Sequence, residues 1–153
     1  MPPKITVSGS FWILLAIQIL TLPLNWIVSA FLAAAFHELC HILTLRFFQI
    51  PIFELHLKAS GAILNTASTE PKEELLCALA GPVGSLSLLL GLRLFPRVAI
   101  CGLIQGVFNL IPLGTLDGGR MARCAIRLLP GKRPCKRGNS GYNSATLSKE
   151  VTL

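Results

Sequence analysis

From Ile27 to Leu45 the chain is apolar apart from two hydroxyl residues, Ser29 and Thr44, and three ionisable ones, His37, Glu38 and His41. An apolar run of this length specifies a helix able to cross a bilayer, because lipid offers backbone N–H and C=O groups no partner outside their own chain. Ionisable side chains are costly there and mark a functional site. Their spacing is His-Glu-x-x-His. Positions four apart share one helical face, so His37 and His41 can direct both imidazoles at one metal ion, and Glu38 can reach a water beside it. Cys40 lies inside the motif, but its face is offset from both histidines and it is not counted as a ligand.

The rest of the composition agrees with a membrane setting. Apolar residues make up 52% and charged residues only 14%, and the mean hydropathy is +0.64. These values exclude an ordinary soluble domain and point to one compact membrane bundle. Much of the net charge of +7 falls after Asp117, in Arg120, Arg123, Arg127, Lys132, Arg133, Lys136 and Arg137. No aromatic residues are interleaved there for base stacking, so nucleic acid is excluded as a partner. A basic tail beside a membrane span reads as a cytoplasmic anchor near anionic lipid. The five cysteines form no CxxC pair, which argues against a disulfide framework and against a cysteine-rich zinc site.

In chain order, the fold class expected is an all-α membrane protein of about four transmembrane helices, with a small membrane-associated β-hairpin or sheet between helices two and three. The helices are expected at 9–22, 25–48, 72–94 and 97–111. The strands are expected at 4–7, 51–58 and 61–66, where apolar and polar residues alternate. Residues 1–130 form the core and 131–153 a disordered basic and polar tail. The first apolar segment follows Lys4, as in a signal peptide, but the small residues Ala33-Ala34-Ala35 sit within a continuing apolar run, so it is read as a retained helix. Trp12 and Trp26 are candidate interface anchors. His56 reads as an exposed strand histidine. Ser68 or Thr69 can cap the third helix, with Pro71 and the acidic residues that follow in its first turn. That helix carries Ala80-Gly81-Pro82-Val83-Gly84-Ser85, small residues that admit a close neighbour.

After the fourth apolar segment comes Pro112-Leu113-Gly114-Thr115-Leu116-Asp117-Gly118-Gly119-Arg120. Proline and repeated glycines predict broken, partly extended backbone, tolerated at membrane depth only against protein or a water-filled cavity. Asp117 offers a hard oxygen ligand and Asn109 an amide on the preceding helix. Taken alone, Asp117 reads equally as a turn residue before glycine. Four spans put both termini in the cytoplasm with only Arg93 and Arg97 outside, which satisfies the positive-inside rule. His37, His41 and Asp117 then meet at similar depth. Two histidines and a carboxylate leave one tetrahedral position open, as catalytic zinc requires.

The chain resembles the site-2 protease family of intramembrane metalloproteases (peptidase M50), in particular the compact bacterial branch similar to stage IV sporulation protein FB. The resemblance rests on His37-Glu38-x-x-His41, Ala80-Gly81-Pro82, Phe108-Asn109-Leu110-Ile111-Pro112 and Leu116-Asp117-Gly118-Gly119, and extends from about Ile5 to Arg127. It implies one zinc ion held by His37, His41 and Asp117, with Glu38 as general base and Asn109 near the substrate or the transition-state oxygen. The implied activity is hydrolysis of a peptide bond in or next to a transmembrane segment of a membrane-bound protein, such as a pro-transcription factor, in the cell membrane. A homo-oligomer or a regulatory membrane partner stays open. The family often has glycine at Cys40 and asparagine at Ser85, and larger members add PDZ or CBS domains that are not expected here. The rival readings are a proteolytically inactive relative that binds membrane segments as a scaffold, a small metal transporter, and a structural membrane protein with an accidental motif.

Overall fold

The computed structural model describes residues 4–58, 61–66, 70–114 and 116–129. The turn expected at 59–60, the caps expected at Ser68 or Thr69 and the tail expected from 131 lie outside the described residues. The elements follow in the order β1 (Lys4–Val7), α1 (Gly9–Thr21), α2 (Leu24–Phe47), β2 (Ile52–Lys58), β3 (Gly61–Thr66), α3 (Pro71–Ser87) with a 3-10 turn (Leu88–Gly91), α4 (Pro96–Asn109) and α5 (Asp117–Leu128).

Proline and glycine chemistry sets several of these boundaries. The ring of Pro23 disfavours helical backbone in the residue before it. Leu22 is accordingly extended, at φ −117° and ψ 145°, and α1 stops. Pro23 then opens α2, which runs 24 residues, or about 36 Å at 1.5 Å per residue. A left-handed residue closes α2. Gln49 has φ 55°, its N–H donates to the Arg46 carbonyl at 3.0 Å, and the Ile50 N–H donates to the Leu45 carbonyl at 2.9 Å. These two bonds form the Schellman cap, in which the first residue past the cap turns left-handed and a hydrophobic contact seals the end. That contact is present: Leu45 and Ile50 are buried together with Cys77, and Phe48 and Ile52 pack against them.

The three strands form one sheet in the order β1-β2-β3. β1 runs parallel to β2 with Thr6 opposite His56, and β2 pairs antiparallel with β3 with Lys58 opposite Gly61. His56 is half-buried rather than exposed and clasps the first two strands: its Nδ1 meets Thr6 Oγ1 and its Nε2 meets Glu54 Oε2 at 3.1 Å.

α3 begins on Pro71, with Glu73 and Glu74 in the first turn where the helix dipole favours negative charge. The stretch after α4 divides its sequence reading. Leu116 is extended, at φ −88° and ψ 164°, as broken backbone requires, but from Asp117 onward the chain is a 12-residue helix. Gly118 and Gly119 do not break this helix. They let it lie against the preceding connection, where added Cβ atoms would collide with the backbone of Leu110 and Leu113. Arg127 Nη1 donates to Glu74 Oε2 at 3.2 Å and ties α5 to the start of α3.

Among the described residues, two helical stretches are long and apolar enough to cross a membrane, Leu24–Phe47 and Pro71–Gly91, each with mean hydropathy 1.6. α1 and α4 have 13 and 14 residues and reach only about 20 Å against a hydrocarbon core of about 30 Å. Large apolar side chains face outward, among them Leu20 at 85% and Leu90 at 93% exposure, while His37, His41 and Ser85 are buried beside small residues and a few aliphatic ones such as Ile27 and Leu45. An apolar exterior around a polar centre is consistent with an all-α membrane protein.

Candidate metal centre

α2 and α3 meet along two antiparallel stripes with a spacing of four. His41 and His37 rise along one face of α2, and Cys77, Gly81 and Ser85 along the facing side of α3. His41 Nδ1 donates to the Cys77 carbonyl at 2.7 Å. His37 Nδ1 bonds Ser85 Oγ at 2.8 Å. Between them, Gly81 supplies the gap: a Cβ built there would fall 2.7 Å from His37 Nε2 and collide with His41 Nε2. Both imidazoles are buried, at 2% and 5% exposure.

Asp117, the first residue of α5, completes the cluster. Its Oδ2 lies 3.1 Å from His37 Nε2 and 3.1 Å from His41 Nε2, and the two Nε2 atoms are 3.1 Å apart. His37, His41 and Asp117 thus form a triad of metal-capable donors. Ligands about 2.0 Å from a tetrahedral ion stand about 3.3 Å from one another, so this triangle fits zinc. Its chemistry fits too. The Cys77 carbonyl can only accept, so the Nδ1 of His41 carries the proton and a neutral ring presents a lone pair at Nε2. That lone pair and the Asp117 carboxylate face the same point, an arrangement that calls for a cation or extra protons on the rings. The Arg120 guanidinium stands 3.9 Å from the other oxygen, Oδ1.

Glu38 follows the first histidine on α2, with its Oε2 sealed from solvent. The start of β3 lies over it, a Cβ at Gly61 falling 3.5 Å from Glu38 Oε1. Asn109 closes α4, half-buried, at the head of the connection that leads to Asp117; it is not one of the clustered donors. Cys40 faces Gly84 of α3. The sequence reading takes Ser85 as one of the small packing residues of the third helix and as a departure from a family pattern, not as a partner of His37, and it does not single out the Cys77 carbonyl. The signal that could have found both is the small-residue spacing 77, 81, 85, which matches that of the two histidines.

No protein-family profile matches the chain, and no curated protein matches it by sequence. Among solved structures, it superposes on the site-2 protease from Methanocaldococcus jannaschii with a TM-score of 0.68 at 22% sequence identity, over 82% of this chain and 69% of that one. The fold built around His37, His41 and Asp117 is the fold of a site-2 protease.

Proposed function

We propose that this chain is an intramembrane zinc metalloprotease of the site-2 type, hydrolysing a peptide bond in or beside a transmembrane segment of a membrane-bound substrate protein. In this reading it spans the membrane four times with both termini in the cytoplasm. The observation that carries the reading is the convergence of His37 Nε2, His41 Nε2 and Asp117 Oδ2 at 3.1 Å beside the carboxylate of Glu38. The shared fold supports it.

His37, His41 and Asp117 would hold a zinc ion, which would supply Lewis acidity for the scissile carbonyl and for the attacking water. The remaining steps belong to the chain. His41 presents a neutral Nε2 because its Nδ1 donates to the Cys77 carbonyl, and Ser85 holds the His37 ring through Nδ1 with its Nε2 turned to the same point. The Glu38 carboxylate takes the proton from the attacking water and returns it to the leaving amine. A positioned base of this kind contributes on the order of a hundred- to ten-thousand-fold in rate. A helical substrate hides its carbonyls and has to unwind before cleavage. β3, an edge strand beginning above Glu38, offers the unwound segment a row of backbone partners. Asn109 is assigned to the substrate or the transition-state oxygen.

The decisive experiment co-expresses the protein with candidate single-span substrates and compares it with Glu38→Gln, which keeps hydrogen-bonding capacity but removes basicity. The variant retains its zinc and accumulates uncleaved substrate. Cleavage by Glu38→Gln at the unmodified rate would rule the mechanism out, and loss of zinc from it would make Glu38 a ligand or a support for one.

A further inference from the structure

Hydroxyl side chains on the apolar helices of this protein mostly turn back on their own backbone. Thr21 donates to the Ile17 carbonyl at 2.7 Å, Ser29 to Asn25 at 2.7 Å, Thr44 to Cys40 at 2.8 Å and Ser87 to Gly84 at 2.6 Å. This is the ordinary way for a helix in an apolar medium to satisfy a hydroxyl. Ser85 departs from it. Its Oγ crosses from α3 to α2 and meets His37 Nδ1 at 2.8 Å. Ser85 has 0% exposure, so no water competes for either partner.

The surroundings keep it there. α4 presses on the same turn of α3 through its glycines: a Cβ at Gly106 would lie 3.2 Å from Ser85 Cβ, and one at Gly102 would lie 2.8 Å from the Ser85 carbonyl oxygen. The seam between α3 and α4 thereby fixes the backbone from which Ser85 reaches. On the other histidine the corresponding partner is a backbone carbonyl, that of Cys77, which a side-chain substitution does not remove. Of the two outer partners, Ser85 is the one carried by a side chain.

We infer that Ser85 is a positioning residue for the metal centre: its hydroxyl, 2.8 Å from His37 Nδ1, holds the ring in the plane in which Nε2 faces His41 and Asp117, and accepts the Nδ1 proton when Nε2 is given to the metal. The inference rests on the metal-site reading above. A hydrogen-bond partner outside a ligating histidine orients the ring and raises its basicity, and losing one typically lowers metal affinity 10–100-fold.

The test measures zinc affinity of the full chain in detergent by competition with a chelator of known affinity, for the unmodified protein, Ser85→Ala, Ser85→Thr and, as a control hydroxyl on α2, Ser29→Ala. Ser85→Ala is expected to bind zinc about 10–100-fold more weakly and to shift the visible absorption of the cobalt-substituted protein. Ser29→Ala is expected to match the unmodified protein, and Ser85→Thr, which keeps the hydroxyl, to recover affinity relative to Ser85→Ala. Equal zinc affinity and an unchanged cobalt spectrum in Ser85→Ala would overturn the positioning role while leaving the metal site standing. An equal loss in Ser29→Ala would overturn it by showing a general packing effect. An unmodified protein that binds no zinc would overturn the metal-site reading itself, and this inference with it.

Discussion

Gly81 shows how tightly single residues are specified at the centre. It stands where α3 passes over both imidazoles, and any side chain there occupies the space the donors enclose. An ordinary exposed glycine in a helix gains about 0.5–1 kcal/mol on replacement by alanine; here the same change drives a methyl group onto the ligand nitrogens. Gly81→Ala is therefore expected to leave the protein folded but to lower zinc from about one ion per chain to well below that, as is Asp117→Ala, which removes a ligand outright. Metal analysis of the purified proteins, with circular dichroism for folding, checks both. Full zinc occupancy in Gly81→Ala and Asp117→Ala together would show that the ion sits elsewhere.

The cap of α2 supplies the test at the scale of an element. Gln49 adopts φ 55°, a conformation that costs an L-residue about 1–2 kcal/mol, and the Schellman bonds to Arg46 and Leu45 hold it there. Glycine removes that steric cost but loses about 0.5–1 kcal/mol of backbone entropy. Gln49→Gly is thus expected to stabilise the protein by roughly 0.5–1 kcal/mol, seen as a higher Tm in detergent, and Gln49→Val to destabilise it. A lower Tm for the glycine variant would show that this turn is not strained. The cap also sets the direction of the chain: it turns from the carboxyl end of α2 straight into β2, which brings the sheet back over the turn carrying Glu38.

For the whole molecule the open quantity is how the short helices α1 and α4 meet the bilayer. The reversal between α3 and α4, near Phe95, lies at the opposite end of α3 from the Glu74–Arg127 pair. In the proposed four-span arrangement it would face outside, and α5, with exposed Ile126 and Leu128 beside its arginines, would lie on the cytoplasmic surface as an amphipathic helix. In a background lacking the native cysteines, an impermeant thiol reagent applied to intact cells is expected to label Phe95→Cys and to spare Arg123→Cys, which reacts only after the membrane is opened. External labelling of Arg123→Cys would reverse the orientation and remove the cytoplasmic placement of the site.

The features legible in the sequence are those set by short-range periodicity. His37 and His41 share a face because any helix places residues four apart together. β2 alternates because a strand does, and α1 ends before Pro23 because proline restricts its predecessor. Asp117 was legible as a candidate oxygen donor, but glycine after it was read as a breaker. Only the packing of α5 on Leu110 and Leu113 makes those glycines contact residues instead. The meeting of Asp117 with His37, 80 positions away, depends on how α5 packs against α3, and the pairing of Ser85 and the Cys77 carbonyl with the two Nδ1 atoms depends on the antiparallel register of α2 against α3. The small-residue spacing 77, 81, 85 marks the stripe that faces the histidines, but not which of those residues meets which ring. That register follows from which small residues allow two helices to approach closely enough for hydrogen bonds to form between them.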